Sequence, residues 1–266
     1  MIEKSRKRIA LIVVAVRLNS KRLPRKALAD LHGEPLIIRL TERVKQARFH
    51  SGVVWCSSTH RQDDPLEELA IQNNVSIFRG SELDVMSRFI KVAIKNNATT
   101  VVRVTGDNPL TDPVMMDDML DTHWAKNSEY TFNEELPVGT RSEIIDVDMM
   151  IRCHRLLRNP SASEYMSWMF NRPDQFRTLN VKSKIAGSNY PELCLTVDFQ
   201  DQLEVIQKIY QYFDGKPPSL DKLIQWIKEN GLLEQLNKSR PNPHRKAEMQ
   251  SHTGNIDVSF KTDELE

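Results

Sequence analysis

The sequence of 266 residues has few cysteines, and the three that are present, Cys56, Cys153 and Cys194, lie far apart. An odd and scattered set of this kind builds neither a disulfide framework nor a metal-binding knuckle. Cys56 and Cys194 lie in strand-like runs, so we expect them to be small buried side chains. Free thiols are typical of a reducing compartment, which is most simply the cytoplasm.

An excess of charge of one sign is also absent. The 37 lysines and arginines balance 36 acidic residues, which leaves a net charge of +1, so no global field favours nucleic acid or anionic lipid. No apolar run approaches the roughly 20 residues of a membrane span. The basic N-terminus leads into only about eight apolar residues without a small-residue cleavage site, so we expect no signal peptide.

The sequence does contain a regular alternation of strand and helix patterns. Strand patterns occur at 9–16, 53–58, 75–78 and 99–104, with helical patterns between and after them at about 35–49, 65–73, from 83 onward and at 113–124. This alternation predicts an α/β fold with a doubly wound, mostly parallel sheet. Beyond residue 126 the patterns are less regular, with a strand at 143–147, helices at 149–157 and 164–170, a last strand at 194–198, and helices at 201–213 and 219–230.

Two polar loops follow apolar strands of this predicted sheet. The loop at 17–26 holds five cations and no acid, and the second loop places Asp107 in a Gly-Asp-Asn-Pro sequence. Basic loops after the first strand of α/β proteins often bind phosphate, although a charge run can be a solvated surface turn. Asp107 could likewise be a turn former. Together the loops suggest a site for a nucleoside triphosphate and its metal ion.

The first loop and its flanks, VRLNSKRLPRKAL, resemble the signature ARxGSxRLPGKxL of the cytidylyltransferases that make CMP-activated sugar acids, such as CMP-sialic acid and CMP-Kdo synthetases. The SpsF-like branch of spore-coat polysaccharide biosynthesis is the most similar. Four further blocks follow in the family's order, so the resemblance spans residues 9–213. They are STHRQDDPLEELA, FRGSELDVMSRF, VVRVTGDNPLTDP and LTVDFQDQLEVI.

The resemblance implies a nucleotidyltransferase domain of the nucleotide-diphospho-sugar transferase (GT-A-like, Rossmann-type) fold over residues 8–237. An insertion at about 130–192 would serve acceptor binding or dimerisation, and a polar tail at 238–266 would be mobile or partner-dependent. The implied reaction uses CTP and Mg²⁺: an acceptor oxygen attacks the α-phosphorus in line and releases pyrophosphate. Such a transfer needs positioning and charge neutralisation more than covalent chemistry.

The family's functional positions carry over residue by residue. Arg17, Arg22 and Lys26, with Ser20, would bind the triphosphate. Asp107 and Asp198 would hold Mg²⁺, so Lys26, Arg17 and Asp107 form the implied catalytic set. Ser58 and Arg79 lie where related enzymes approach the nucleoside, and Arg141 and Glu143 lie in the block that faces the acceptor.

This chain departs from the family pattern mainly in its acceptor half. Arg141 replaces an acid, which would suit a small acceptor with more negative charge than a standard sialic acid or Kdo. In the basic loop, Asn19 and Arg25 replace glycines. Related enzymes often form homodimers, and a run of apolar residues would suit such an interface. These residues are Met166, Trp168, Met169 and Phe170.

Several alternatives remain open on the sequence alone. Asp198 could cap the helix that follows it, and Arg88 could pair with Asp84 at helical spacing. The acidic pairs at 117–118 and 146–148 are more typical of capping or solvated residues than of metal ligands. The protein could also be a nucleotide-sugar-dependent glycosyltransferase, or a relative without turnover that binds a nucleotide or a partner.

Overall fold

The structure, a computed structural model, describes residues 7–237, and the tail proposed at 238–266 lies outside that range. A seven-stranded sheet has the order β5-β4-β1-β6-β8-β7-β9, and β2 pairs with β3 in a separate hairpin. The strands are β1 (Ala10–Ala15), β2 (Asp30–Leu31), β3 (Glu34–Pro35), β4 (Val53–Ser58), β5 (Ser76–Gly80), β6 (Thr100–Thr105), β7 (Tyr130–Phe132), β8 (Glu143–Asp146) and β9 (Thr178–Asn180).

The first four strands of this order are parallel, and the antiparallel β8 follows β6. β7 runs antiparallel to β8 and parallel to β9. The predicted doubly wound, mostly parallel α/β fold is therefore confirmed. Its parallel part arises because β-branched, apolar strands alternate with helices that return the chain to the same edge.

Helices cover both faces of the sheet. They are α1 (Leu36–Val44), α2 (Asp64–Gln72), α3 (Val85–Lys95), α4 (Pro113–Ala125), α5 (Val147–Leu156), α6 (Met166–Phe170), α7 (Gln200–Tyr212), α8 (Leu220–Glu229) and α9 (Leu233–Asn237). Short 3₁₀ turns lie at Lys26–Leu28, Arg61–Asp63 and Pro160–Tyr165. Within the described residues, no helix has the length and apolar character needed to cross a membrane.

The first helix is shorter than the pattern predicted. It ends at Val44 rather than near Phe49, because Asp117 draws the following chain away from helical hydrogen bonding. The Asp117 carboxylate accepts hydrogen bonds from the backbone N–H groups of Arg48 and Phe49 at 2.9 and 3.2 Å. Asp146 caps α5 by accepting from Met149 N at 2.8 Å. Asp146 thus has the capping role expected of it, whereas Asp117 is 4% exposed and binds the loop after α1, so the expectation that it caps a helix or is solvated is wrong.

Alternate residues of β1 divide the core into two layers, as strand geometry requires. Ile12 and Val14 face a layer formed with α1, α4, α7 and α8, whereas Leu11 and Val13 face one formed with α3, α5 and α6. Three residues of the apolar run proposed as a dimer interface belong to the second layer: Met166, Met169 and Phe170, which are fully buried. The suggestion that Met166, Met169 and Phe170 form a dimer interface is therefore wrong, since they pack inside their own subunit, whereas Trp168 is half-buried and its role at an interface stays a prediction.

Candidate functional site

The loops that follow β1 and β6 meet at the carboxyl edge of the sheet, because these two strands are parallel neighbours. Gly106 sits where they touch. Its backbone N–H donates to the Ala15 carbonyl at 2.7 Å, and a Cβ on Gly106 would lie 2.9 Å from Val16 Cβ. Only glycine allows this approach, which brings the turn containing Asp107 against the start of the basic loop.

Lys26 forms the centre of the site. Its Nζ donates to Asp107 Oδ2 at 2.7 Å and to Asp198 Oδ1 at 2.8 Å. Arg22 adds a second cation, with Nη2 2.6 Å from the same Asp198 oxygen. The structure thus brings together four of the residues that the sequence marked for triphosphate and metal binding. They come from three segments that are far apart in the chain.

This cluster is mostly shielded from solvent, and its opposite charges stabilise one another. The exposed fraction is 12% for the Lys26 side chain, 24% for Asp107 and 11% for Asp198. Burial opposes the charged form of Lys26, but the two carboxylates outweigh it and raise the pKa of the amine. Burial likewise disfavours the Asp107 carboxylate, yet the charge and hydrogen bond of Lys26 hold the pKa of Asp107 below its usual value.

Asp198 reaches the site from a segment that was predicted to be a strand but is not one. The segment makes only an isolated bridge, between Val138 and Cys194, because its neighbours on both sides are irregular loops. Val197 N donates to the Asp107 carbonyl at 2.9 Å, which fixes Asp198 beside Asp107. Gly139 makes the close approach possible: its φ is +95°, and a Cβ there would lie 2.4 Å from the Leu195 carbonyl carbon.

Asp198 does not cap the following helix. The Gln202 side-chain oxygen accepts from the backbone N–H groups of Asp198 and Phe199 at 2.8 and 3.0 Å. Gln202 thus binds the two backbone N–H groups that precede α7. The Asp198 carboxylate instead contacts Lys26 and Arg22. The capping alternative is therefore wrong.

The basic loop turns tightly around Leu18. The Leu18 carbonyl accepts from Ser20 N at 2.9 Å and from Arg25 N at 3.1 Å, while Leu18 N donates to Asp63 Oδ1 at 2.7 Å. The left-handed position in this loop is Arg25, with φ of 58°, rather than Asn19. The family's glycine at the Arg25 position has a clear conformational reason.

Asp63 is a structural residue of the site that the sequence did not single out. It is 1% exposed, and besides Leu18 it binds the Ser58 hydroxyl, which donates to Asp63 Oδ2 at 2.5 Å. One buried carboxylate therefore fastens the basic loop to the end of β4. Its place next to Asp64 looks like an ordinary acidic helix start, so only its tertiary contacts reveal this role.

The remaining nucleotide candidates have mainly internal contacts. Arg79 donates to the Ser58 carbonyl at 2.9 Å, to Glu67 at 2.7 Å and to Asp64 at 2.6 Å, and Ser58 itself is buried. These bonds hold the β4, α2 and β5 segments together. Contact of either residue with a nucleoside remains a prediction.

Two other candidates lie in the basic loop. Arg17 is exposed and Ser20 is half-buried. The geometry places both in the same loop as Lys26, and their roles toward the triphosphate also remain predictions.

The two acceptor candidates occupy different surroundings. Arg141 donates to the Leu136 carbonyl at 2.6 Å and to the Pro191 carbonyl at 3.3 Å, and burial lowers its pKa to about 10. Glu143 accepts hydrogen bonds from Arg103 and Tyr130. Burial disfavours its charge, but Arg103 holds the pKa of Glu143 below its ordinary value. Arg141 thus ties two loops together, and its role toward an acceptor stays a prediction.

Comparison with known proteins supplies the family. The model of the cytidylyltransferase family matches residues 10–237. The spore coat polysaccharide biosynthesis protein SpsF of Bacillus subtilis is 30% identical over 227 residues, which cover 83% of this chain and 94% of that protein.

Solved structures agree with this match. A cytidylyltransferase from Leptospira borgpetersenii has a TM-score of 0.79 at 27% identity and covers 88% of this chain and 99% of its own. CMP:2-keto-3-deoxy-manno-octonic acid synthetase, solved with CTP, has a TM-score of 0.60 at 17% identity, covers 77% of this chain and 99% of its own, and shares the fold. The chain therefore belongs to the cytidylyltransferase family, and the protein is a CTP-dependent nucleotidyltransferase.

Proposed function

We propose that the protein transfers CMP from CTP to a sugar acid or a related anionic acceptor, with release of pyrophosphate, for the assembly of a surface polysaccharide. The observation that carries this proposal is the Lys26 ammonium held between Asp107 and Asp198 at the carboxyl edge of the sheet. The similarity to SpsF, a protein named for spore coat polysaccharide biosynthesis, supports the polysaccharide role.

The basic loop would bind the triphosphate of CTP. Arg17 and Arg22 offer planar guanidinium forks, and Lys26 offers a compact charge, so together they can neutralise several phosphate oxygens. Ser20 and nearby backbone N–H groups would add hydrogen bonds. Neutralising the triphosphate and fixing its position allows an acceptor oxygen to attack the α-phosphorus in line, and the protein contributes no nucleophile of its own.

Asp107 and Asp198 would hold Mg²⁺. Among residues 7–237 no group of three or more metal-ligating side chains gathers, but two carboxylates suit this ion, which keeps several waters and takes further oxygens from phosphates. Both carboxylates already bind the Lys26 ammonium, and Asp198 also binds Arg22, so their surroundings favour positive charge. When bound, Mg²⁺ would supply charge neutralisation at the phosphate oxygens.

Nucleotide binding tests the proposal directly. We expect CTP with Mg²⁺, but not UTP, GTP or ATP, to raise the melting temperature, because a ligand at a hundredfold excess over its Kd adds about 2.7 kcal/mol of apparent stability. Lys26→Met should lose the shift. Lys21→Met, which removes an exposed cation from the same loop, is the matched control and should keep it.

Product analysis distinguishes the chemistry. Incubation with CTP and a panel of sugar acids should release pyrophosphate, whereas a glycosyltransferase would release a nucleoside diphosphate from a nucleotide-sugar. The absence of a shift with any nucleotide would contradict the proposal and favour a relative without turnover.

We also infer a cytoplasmic homodimer. None of the three cysteines, all of which lie within residues 7–237, forms a disulfide, and this suits a reducing compartment. Light scattering after size exclusion would give the oligomeric state, and a monomer at micromolar concentration would contradict the dimer.

A further inference from the structure

Arg88 is a buried arginine at the same edge of the sheet as Lys26. It lies in the first turns of α3 and is 4% exposed. Its stem packs against Gly80, the last residue of β5, where a Cβ would lie 2.9 Å from Arg88 Cγ. The absence of a side chain at Gly80 therefore makes room for Arg88 at the carboxyl end of the parallel strands.

The protein supplies few hydrogen-bond acceptors and no described counter-charge to the guanidinium of Arg88. Nη1 donates to the Ser81 carbonyl at 2.8 Å, and Nε is buried without a hydrogen-bond partner. Among the side chains that the structure describes, no carboxylate forms an ion pair with Arg88. The expected pairing with Asp84 is wrong, because Asp84 caps α3 by accepting from Ser87 N at 3.0 Å and lies 2.7 Å from His154 Nε2.

The thiol beside Arg88 does not supply a counter-charge. Burial raises the pKa of Cys56 to about 12, even though the charge of Arg88 and a hydrogen bond with it lower that pKa. The thiol is therefore neutral at physiological pH. Arg103, on the same face of the sheet, also has a buried Nε without a partner, but the Glu143 carboxylate neutralises its charge.

A buried charge without a counter-ion destabilises the folded protein. Arg88 is nevertheless placed at the edge where open α/β sheets bind ligands. A guanidinium at such a place suits a carboxylate or phosphoryl group, which can accept two parallel hydrogen bonds from it. The missing negative charge is therefore best supplied by a ligand.

We propose that Arg88 binds the negatively charged group, carboxylate or phosphoryl, of the acceptor. This inference rests on the proposed function and deepens it, because it assigns the acceptor's charge to a residue other than Arg141. The 3₁₀ turn Pro160–Tyr165 borders the site, since Ser163 Oγ accepts from Met86 N in the first turn of α3 at 3.0 Å. The acceptor would thus lie at the carboxyl edge of the sheet beside the first turns of α3, with CTP at the basic loop.

The test compares Arg88→Met with Lys91→Met, which removes an exposed cation from the same helix. Acetate and inorganic phosphate are titrated against chloride of equal ionic strength, with saturating CTP and Mg²⁺ occupying the basic loop. We expect one or both anions to raise the melting temperature of the wild type and of Lys91→Met. In Arg88→Met the apparent anion affinity should fall at least tenfold, and a response to acetate or to phosphate alone identifies the acceptor's group.

The same variants separate a ligand site from a structural arginine. Without anions, Arg88→Met should melt at a higher temperature than the wild type, because it removes an uncompensated buried charge. An unchanged anion response in Arg88→Met would overturn the inference. If Arg88→Met does not fold, Arg88→Lys decides: its single ammonium lacks the fork, so the affinity should fall severalfold, and no change would overturn the inference.

The rise in melting temperature with CTP distinguishes the cytidylyltransfer proposal from the proposal about Arg88. Its absence in the wild type would contradict the cytidylyltransfer proposal, and the anion titration, repeated without nucleotide, would still decide the role of Arg88. A normal CTP shift in Arg88→Met would show that the nucleotide half is intact.

Discussion

Replacing Lys26 by methionine should destabilise the folded protein as well as abolish activity. The change leaves Asp107 and Asp198 largely buried, with only the half-exposed Arg22 as a cationic partner. Removing one partner of a buried ion pair costs about 3–5 kcal/mol. Because the three side chains retain some exposure, we expect a loss near the lower end, about 3 kcal/mol at neutral pH.

The loss should depend on pH in a defined direction. In the wild type, Lys26 lowers the pKa of Asp107, so the stability from this pair is present at neutral pH and disappears only as the pH falls through that lowered pKa. In Lys26→Met, burial still raises the pKa of Asp107, and only the hydrogen bonds with Thr105 and the backbone oppose it, so we expect that pKa to rise. Protonation of Asp107 then removes its unpaired buried charge. The variant should therefore lose less free energy of unfolding at pH 4.5 than at pH 7.5.

Urea denaturation at the two pH values measures both effects, since the free energy of unfolding follows from the midpoint and the slope. Lys21→Met is the control, and it should change the free energy of unfolding by less than about 0.5 kcal/mol. A deficit for Lys26→Met below about 1 kcal/mol, or one that grows as the pH falls, would refute the reasoning about burial and charge.

Three further substitutions test the loops that build the site. Arg25→Gly should stabilise the protein by about 0.5–1 kcal/mol in the same assay, since it relieves a left-handed residue; a loss of stability would contradict this. Gly139→Ala should lower the free energy of unfolding by more than about 3 kcal/mol and abolish pyrophosphate release. Its control is Gly187→Ala, because Gly187 also has positive φ but a Cβ there would have nothing within 4 Å. Gly187→Ala should cost only about 1 kcal/mol and remain active. Asp63→Ala should cost about 2–4 kcal/mol and raise the KM for CTP, because it leaves buried donors unpaired; Asp64→Ala, at an exposed ion pair, should have at most about a 1 kcal/mol effect.

The sheet and half of the site could be predicted from the sequence because they depend on local signals. Apolar, β-branched runs mark the parallel strands, and parallel neighbours must place their following loops at one edge. That rule alone brings the loop of Lys26 toward Asp107. Asp198 was different: its segment is not a strand, so only the family resemblance indicated it, and nonlocal bonds to Val138 and Asp107 hold it in place.

Local rules failed where several partners compete for one side chain. Helical spacing favours a pair between Arg88 and Asp84, but Asp84 sits at the start of α3, where the Ser87 N–H needs an acceptor, and His154 approaches it from α5. Local rules also miss the role of Asp63. Its buried carboxylate binds a backbone N–H that lies 45 residues earlier in the chain.

The arginines of this protein show why charge compensation, rather than residue type, separates binding groups from structural ones. Arg79 pairs with two acids, Arg103 pairs with a buried glutamate, and Arg141 donates hydrogen bonds to backbone carbonyls. Carboxylates thus neutralise the charges of Arg79 and Arg103, and two carbonyls accept the hydrogen bonds of Arg141. Arg88 has the deepest burial of the four and the fewest partners. If the acceptor of this cytidylyltransferase carries a negative charge, Arg88 is the position where that charge would most improve the folded state, and binding would be coupled to stability there.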